Sequence, residues 1–156
     1  MFETIIWATD GSEAAERALE FAKQLATYEG GQVIAVHANE LMGGRGGGYP
    51  VFADEEEVER KLMHEVANLR DQGVRATFKL ITSARHDAGR MIADFARGVD
   101  ADAIVVGTRG HSAVTNLFLG SVTQRLLHIA HCPVLAIPPL KAAELAQEAD
   151  ERVAVS

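Results

Sequence analysis

Two hydrophobic periods take turns along this chain, and that exchange limits its fold more than any other feature. Short apolar runs alternate with longer stretches whose apolar residues recur at three- and four-residue spacing. Thr4 to Thr9 is β-branched and aromatic and ends at Asp10-Gly11-Ser12, a turn and helix-start signal. Ala14, Ala15, Ala18, Leu19, Ala22, Leu25 and Ala26 then form one helical stripe, stopped at Gly30-Gly31. Gln32 to Ala38 reads as a second strand. A helix opened by Asp54-Glu55-Glu56-Glu57, whose acids suit the positive end of the helix dipole, buries Val58, Leu62, Val66 and Leu69 and stops at Gly73. Val74 to Thr82 reads as a third strand and Asp87 to Arg97 as a third helix, with Met91, Ile92, Phe95 and Ala96 inward. Ala103 to Val106 is a fourth strand. Gly120 to Ala130 is a fourth helix, with Val122, Leu126, Leu127 and Ile129 apolar. Pro133 to Ile137 is a fifth strand, closed by Pro138-Pro139.

Apolar strands that alternate with helices form a parallel sheet covered on both faces. The expected architecture is α/β: a three-layer α/β/α doubly wound, Rossmann-like domain with a five-stranded parallel sheet. Such domains bind ligands beyond the carboxyl ends of their strands, near the point where strand order reverses. That directs attention to Thr9-Asp10, His37-Ala38, Thr82-Ser83 and the segment from Gly107. Asn39 to Ala53 is expected to be a loop, since five of the fourteen glycines lie between Gly43 and Gly48. Thr108 to Leu119 is a second expected loop. Lys141 to Arg152 reads as a loosely held helical tail, so the domain is assigned to residues 1–140 and the tail to 141–156.

At 156 residues the chain is sized for one domain. Its formal charge of −7 has the wrong sign for attracting a phosphate backbone by bulk field, which disfavours a nucleic-acid partner. The acids are unevenly placed, however: Gly107 to Ala130 holds Arg109 and Arg125 and no acid. The single cysteine, Cys132, excludes an intrachain disulfide and fits a reducing compartment. No apolar stretch approaches the ~20 residues of a membrane span, and the first residues do not read as a signal peptide. The expectation is a soluble cytoplasmic protein with no membrane partner.

The strongest chemical signal is Gly107-Thr108-Arg109-Gly110, nine further residues, then Gly120-Ser121-Val122-Thr123. A glycine at a strand end lets a sugar or phosphate approach the backbone with no Cβ in the way. A Gly-Ser pair at a helix start offers free N–H groups, a hydroxyl and the positive end of the dipole. Together they form a neutral cradle for a polyphosphate. Taken as loose glycines, the same residues are also ordinary strand ends and caps.

The pattern Gly-x2-Gly-x9-Gly-Ser followed by Val-Thr resembles the nucleotide-binding signature of the universal stress protein family. The likeness extends to Trp7-Ala8-Thr9-Asp10-Gly11-Ser12, Val36-His37-Ala38, Asp102 to Gly107 and His131 to Pro138, and spans roughly residues 1–138. It implies the branch of the family that binds ATP, with strand order 3-2-1-4-5. By that resemblance Ala8, Thr9 and Asp10 would line the adenosine side, Ala38 would touch the adenine and Gly107 would lie under the ribose. Gly110, Gly120, Ser121, Val122 and Thr123 would surround the phosphates through N–H and hydroxyl groups. Arg109 and His111 lie between the glycines, and either could reach a phosphate. Mg2+ would accompany the phosphates, held more by phosphate and water than by protein. The resemblance also implies a homodimer through the fifth strand, Val134–Ile137. Ala8 departs from the Pro or Val common in relatives, His86 and Ala88 stand where Gly-x-Pro is usual, and the Gly43–Gly48 run is unusual for this loop.

The function implied is that of an ATP-binding stress or regulatory module whose ordered form engages a protein partner. The alternatives are a slow ATPase, for which Asp10 is the one obvious carboxylate, and a binder of another adenine nucleotide such as cAMP. Other signals carry less. Gly43–Gly48 lacks the Gly-Lys-Ser/Thr of a phosphate loop. His128, His131 and Cys132 have no second cluster at metal-ligand spacing. Cys132 beside Pro133 reads as a packed residue, and Ser12 as a helix N-cap. No residue is assigned a catalytic or metal-binding role.

Overall fold

The computed structural model of the chain describes residues 1–40, 53–108, 119–139 and 150–155. Nine elements follow one another: β1 (Thr4–Ala8), α1 (Glu13–Glu29), β2 (Gln32–Glu40), α2 (Ala53–Asp71), β3 (Arg75–Ser83), α3 (Ala88–Gly98), β4 (Ala103–Gly107), α4 (Ser121–Ile129) and β5 (Val134–Ile137). The strands form one parallel sheet in the order β3-β2-β1-β4-β5. This is the doubly wound, Rossmann-like arrangement expected from the alternation of periods. The order reverses between β1 and β4, which lie side by side with Ala8 opposite Val106.

Strand side chains point alternately to the two faces, so each strand supplies both halves of the core. Ile5, Trp7, Val33, Ala35, Ala103 and Val105 pack with Ala18, Leu19, Ala22 and Ala26 of α1 and with Leu62, Val66 and Leu69 of α2. Their neighbours Ile6, Ala8, Ile34, Val36, Ile104 and Val106 pack on the other face with Ile92, Ala93 and Ala96 of α3 and Leu126 of α4. Trp7 is fully buried and donates its indole N–H to the Ala15 carbonyl at 2.8 Å, fixing α1 to the sheet centre.

Two local features differ from the sequence reading. β2 runs two residues further, because β3 continues to pair with it at Asn39↔Thr82 and Glu40↔Ser83. Leu127 is half exposed: the buried stripe of α4 is centred on Leu126, and one residue turns a helix by about 100°. In the tail, residues 150–155 are helical, and every one with a described side chain is exposed. The Gly43–Gly48 run lies outside the described residues. Gly30 and Gly73, with φ of 69° and 83°, end α1 and the turn after α2 in the left-handed region that glycine favours.

Candidate functional site

The strand reversal leaves a cleft at the carboxyl ends of β1, β2 and β4, on the face covered by α3 and α4. Its volume is about 390 Å³. Ala8, Thr9 and Asp10 line it from the end of β1, Ala38 from β2, Val106 and Gly107 from β4, Ala88 and Ile92 from α3, and Gly120 to Thr123 from the start of α4. Ala15 of α1 completes the lining. Of the twelve residues singled out in the sequence, nine thus converge on one cleft. Arg109, Gly110 and His111 lie outside the described residues.

The β1 end is shaped by the backbone. The Thr9 N–H donates to the Val36 carbonyl at 3.0 Å, which extends the ladder one residue past β1. The Thr9 hydroxyl accepts from the Gly11 N–H at 3.1 Å, and the Asp10 carboxylate from the Ser12 N–H at 2.9 Å. Such short side-chain loops are what Asp and Thr contribute to turns. Gly11, at φ 79°, takes the sharp step that starts α1, and Ser12 caps that helix by accepting from the Ala15 N–H.

The helices around the cleft begin differently. Asp87 caps α3 by accepting from the Arg90 N–H at 2.9 Å, and the Glu40 carboxylate accepts from the Ala88 N–H at 2.8 Å. Negative charge from the protein already occupies that helix start. At α4 the N-cap is Gly120, which has no side chain to turn back on the helix. The first intrahelical bond runs from the Gln124 N–H to the Gly120 carbonyl at 3.0 Å, so the N–H groups of Ser121, Val122 and Thr123 lie ahead of it. The positive end of the α4 dipole therefore meets the cleft without a carboxylate of its own helix in the first turn.

Two groups of this helix start are already engaged. The Gly120 N–H donates to the Thr108 carbonyl at 2.7 Å, and the Thr123 hydroxyl donates to the Gly107 carbonyl at 2.8 Å. Thr123 is 2 % exposed. These bonds join the β4 end to α4 from the inside. The sequence did not single out Ala15, Ala88, Ile92 or Val106 as lining, since each also reads as helix or strand core. Val106 was within reach: it shares a face with Ala8, and the cleft opens on that face.

Among the described residues no group of three or more His, Cys, Asp or Glu could hold a metal ion, and no helix is long and apolar enough to cross a membrane. Cys132 is partly buried against the α3–α4 core, and that burial raises its thiol above the ordinary range.

The family model described as the Universal stress protein family matches residues 1–138. The chain belongs to the universal stress protein family. A Thermus aquaticus member, described as "Universal stress protein in QAH/OAS sulfhydrylase 3'region", is 41 % identical over 145 residues, covering 88 % of this chain and 99 % of that one. A universal stress protein structure from Archaeoglobus fulgidus superimposes with a TM-score of 0.72 at 33 % identity, covering 88 % and 98 % of the two chains. A structure of the Archaeoglobus fulgidus universal stress protein in complex with dAMP gives 0.68 at 31 % identity, with coverage of 88 % and 98 %. The expected family and its α/β fold are thus those of this chain.

Proposed function

We propose that the cleft binds an adenine nucleotide, ATP foremost, and that this universal stress protein works as a ligand-responsive regulatory module. The observation that carries the reading is the start of α4: a glycine-capped helix opening on a cleft lined by small residues at the strand reversal. An apolar base fits the small-residue wall of Ala8, Ala38 and Val106, and an anion fits the N–H groups from Ser121 onward. The complex of the Archaeoglobus fulgidus relative with dAMP supports the adenine end of the reading. The spacing Gly107-x2-Gly110-x9-Gly120-Ser121 supports a triphosphate, because a single phosphate needs no cradle of that length.

In this reading Thr9 and Asp10 hold the nucleoside, Gly107 leaves room for the ribose, and Ser121, Val122 and Thr123 hold phosphate oxygens through backbone N–H groups. Gly120 contributes by having no Cβ in the approach. Arg109, Gly110 and His111, which lie outside the described residues, are assigned to the phosphates by their place in the glycine motif. When Mg2+ accompanies ATP it neutralises phosphate charge, with phosphate and water as its ligands. The nucleotide-binding unit is residues 1–140, followed by the tail 141–156, and it acts in the cytoplasm. The nucleotide-bound form engages a protein partner. β5, Val134–Ile137, is an edge strand of the sheet among the described residues, and it pairs with its copy in a homodimer.

The test is extraction of the protein, purified without added nucleotide, with acid and identification of the released species by mass. ATP is expected. A protein that releases no adenine nucleotide and takes up none on reloading contradicts the reading.

A further inference from the structure

α2 lies on the face of the sheet opposite the cleft, yet it reaches through to the turn that lines it. Three residues spaced three apart reach that turn, Val58 and Lys61 by direct contact and Glu55 through His37. Glu55 places Oε2 2.9 Å from His37 Nε2, and His37 Nδ1 lies 3.0 Å from the Thr9 carbonyl. Val58 packs against Gly11, where a Cβ would come within 3.1 Å of a Val58 methyl. Lys61 donates from Nζ to the Gly11 carbonyl at 3.0 Å and also pairs with Glu16 of α1. His37 is 5 % exposed, so the chain from Glu55 to Thr9 runs through the interior.

The chemistry of the chain is directional. The Thr9 carbonyl has no proton to give, so His37 must donate from Nδ1. That bond fixes the orientation of the carbonyl that immediately precedes Asp10. The ring is in turn held by Glu55 at Nε2. Because strand side chains alternate, His37 points toward α2 while its neighbour Ala38 faces the cleft. One strand thus carries a wall residue and the clasp behind it.

We infer that Glu55 and His37 are positioning residues for the nucleoside end of the cleft, acting through the Thr9 carbonyl, with Lys61 as a second brace at Gly11. This rests on the adenine-nucleotide reading of the cleft. Neither residue touches the ligand. They add to the ladder bond of the Thr9 N–H and to the short side-chain loops within the turn in setting the geometry of Thr9 and Asp10. Preorganising that turn reduces the ordering cost of binding.

The test compares Glu55→Ala with Glu55→Gln in the full chain. A glutamine amide can donate to Nε2 of a neutral ring and leave the Nδ1 bond intact, so it should restore the clasp. In the ligand-free protein, hydrogen exchange at the Gly11 and Ser12 amides is expected to speed up several-fold in Glu55→Ala and stay near the parent rate in Glu55→Gln. The ATP dissociation constant should rise about tenfold in Glu55→Ala, the scale of one lost hydrogen bond, and stay within about twofold in Glu55→Gln. Lys61→Met, at a half-exposed site, should loosen the same two amides. A Glu55→Ala protein that melts earlier but keeps the parent exchange rates and affinity would show a structural role only and overturn the inference. Should the parent bind no adenine nucleotide, the functional reading falls, while the exchange rates still decide the brace.

Discussion

The Thr123 hydroxyl donates to the Gly107 carbonyl at 2.8 Å, in a position closed to solvent. The two residues are sixteen apart in sequence and belong to different elements. Their bond joins the last residue of β4 to the first turn of α4, so the two glycine corners of the cleft move as one piece. Replacing Thr123 with Val keeps the shape and removes the donor, leaving a buried carbonyl with one partner fewer. The expected cost is about 1–2 kcal/mol of folding stability, read as a lower urea midpoint with an unchanged slope. Thr123→Ser should recover most of it, whereas equal losses in both variants would assign the effect to packing.

The base end and the phosphate end of the cleft should fail in different ways. Gly120 has φ −60°, which any residue adopts, and its N–H remains free to bond Thr108, so Gly120→Val should fold. It should remove the affinity that ATP gains over adenosine, leaving the two ligands nearly equal by calorimetry. Ala38→Leu puts three carbons into the space proposed for the base and should weaken ATP and adenosine alike, by about tenfold or more, through steric overlap. A variant at Gly120 that weakens adenosine as much as ATP would refute this division.

Much of this was legible in the sequence, for physical reasons. Ile5 and Ile6, or Val33 and Ile34, bury toward opposite faces, and only a sheet covered on both sides requires such unbroken apolar runs. Of the cleft residues, Thr9, Asp10, Ala38 and Gly107 were legible because strand ends line the cleft in this architecture, Gly120 to Thr123 because a Gly-Ser pair opens a helix, and Ala8 through the resemblance to the family. Tertiary bonds were not. The role of His37 depends on which turn of α2 comes to rest beside it, and no period in the sequence encodes that register. Glu40 likewise sat in an expected loop, and only its pairing with Ser83 extends β2 far enough for its carboxylate to meet the Ala88 N–H. The Thr123 hydroxyl read as a phosphate ligand, although its proton is given to Gly107.

Cys132 provides a prediction with a definite sign in pH. Burial is the main cause of its raised thiol, so its thiolate is scarcer than that of an exposed cysteine at the same pH. Alkylation by iodoacetamide should be slower than for a free thiol at neutral pH and accelerate as pH rises. The unfolded chain ionises first, so folding stability should decline as pH climbs through the ordinary thiol range. Alkylation at or above the free-thiol rate near pH 7 would contradict the assignment.

Pairing through β5 makes a hydrodynamic prediction. Sedimentation equilibrium at micromolar concentration should give twice the 16.8 kDa chain mass. A charged substitution, Val134→Lys, places a cation on the strand proposed to pair and should shift the mass toward one chain. A parent protein that sediments as a single chain over the same range would exclude the dimer.

The most direct measurement of the central claim is a titration of the isotope-labelled, nucleotide-stripped protein with ATP, followed by backbone amide NMR. The account predicts saturable shifts that are largest at Ser121, Val122 and Thr123, with a second group at Thr9, Asp10 and Ala38, and small shifts at Ala88 and Gly89, where Glu40 and Asp87 already hold the helix start. Adenosine should reproduce the second group and leave the α4 amides nearly unmoved. Saturation without movement at Ser121 to Thr123, or shifts centred on the start of α3, would contradict the account.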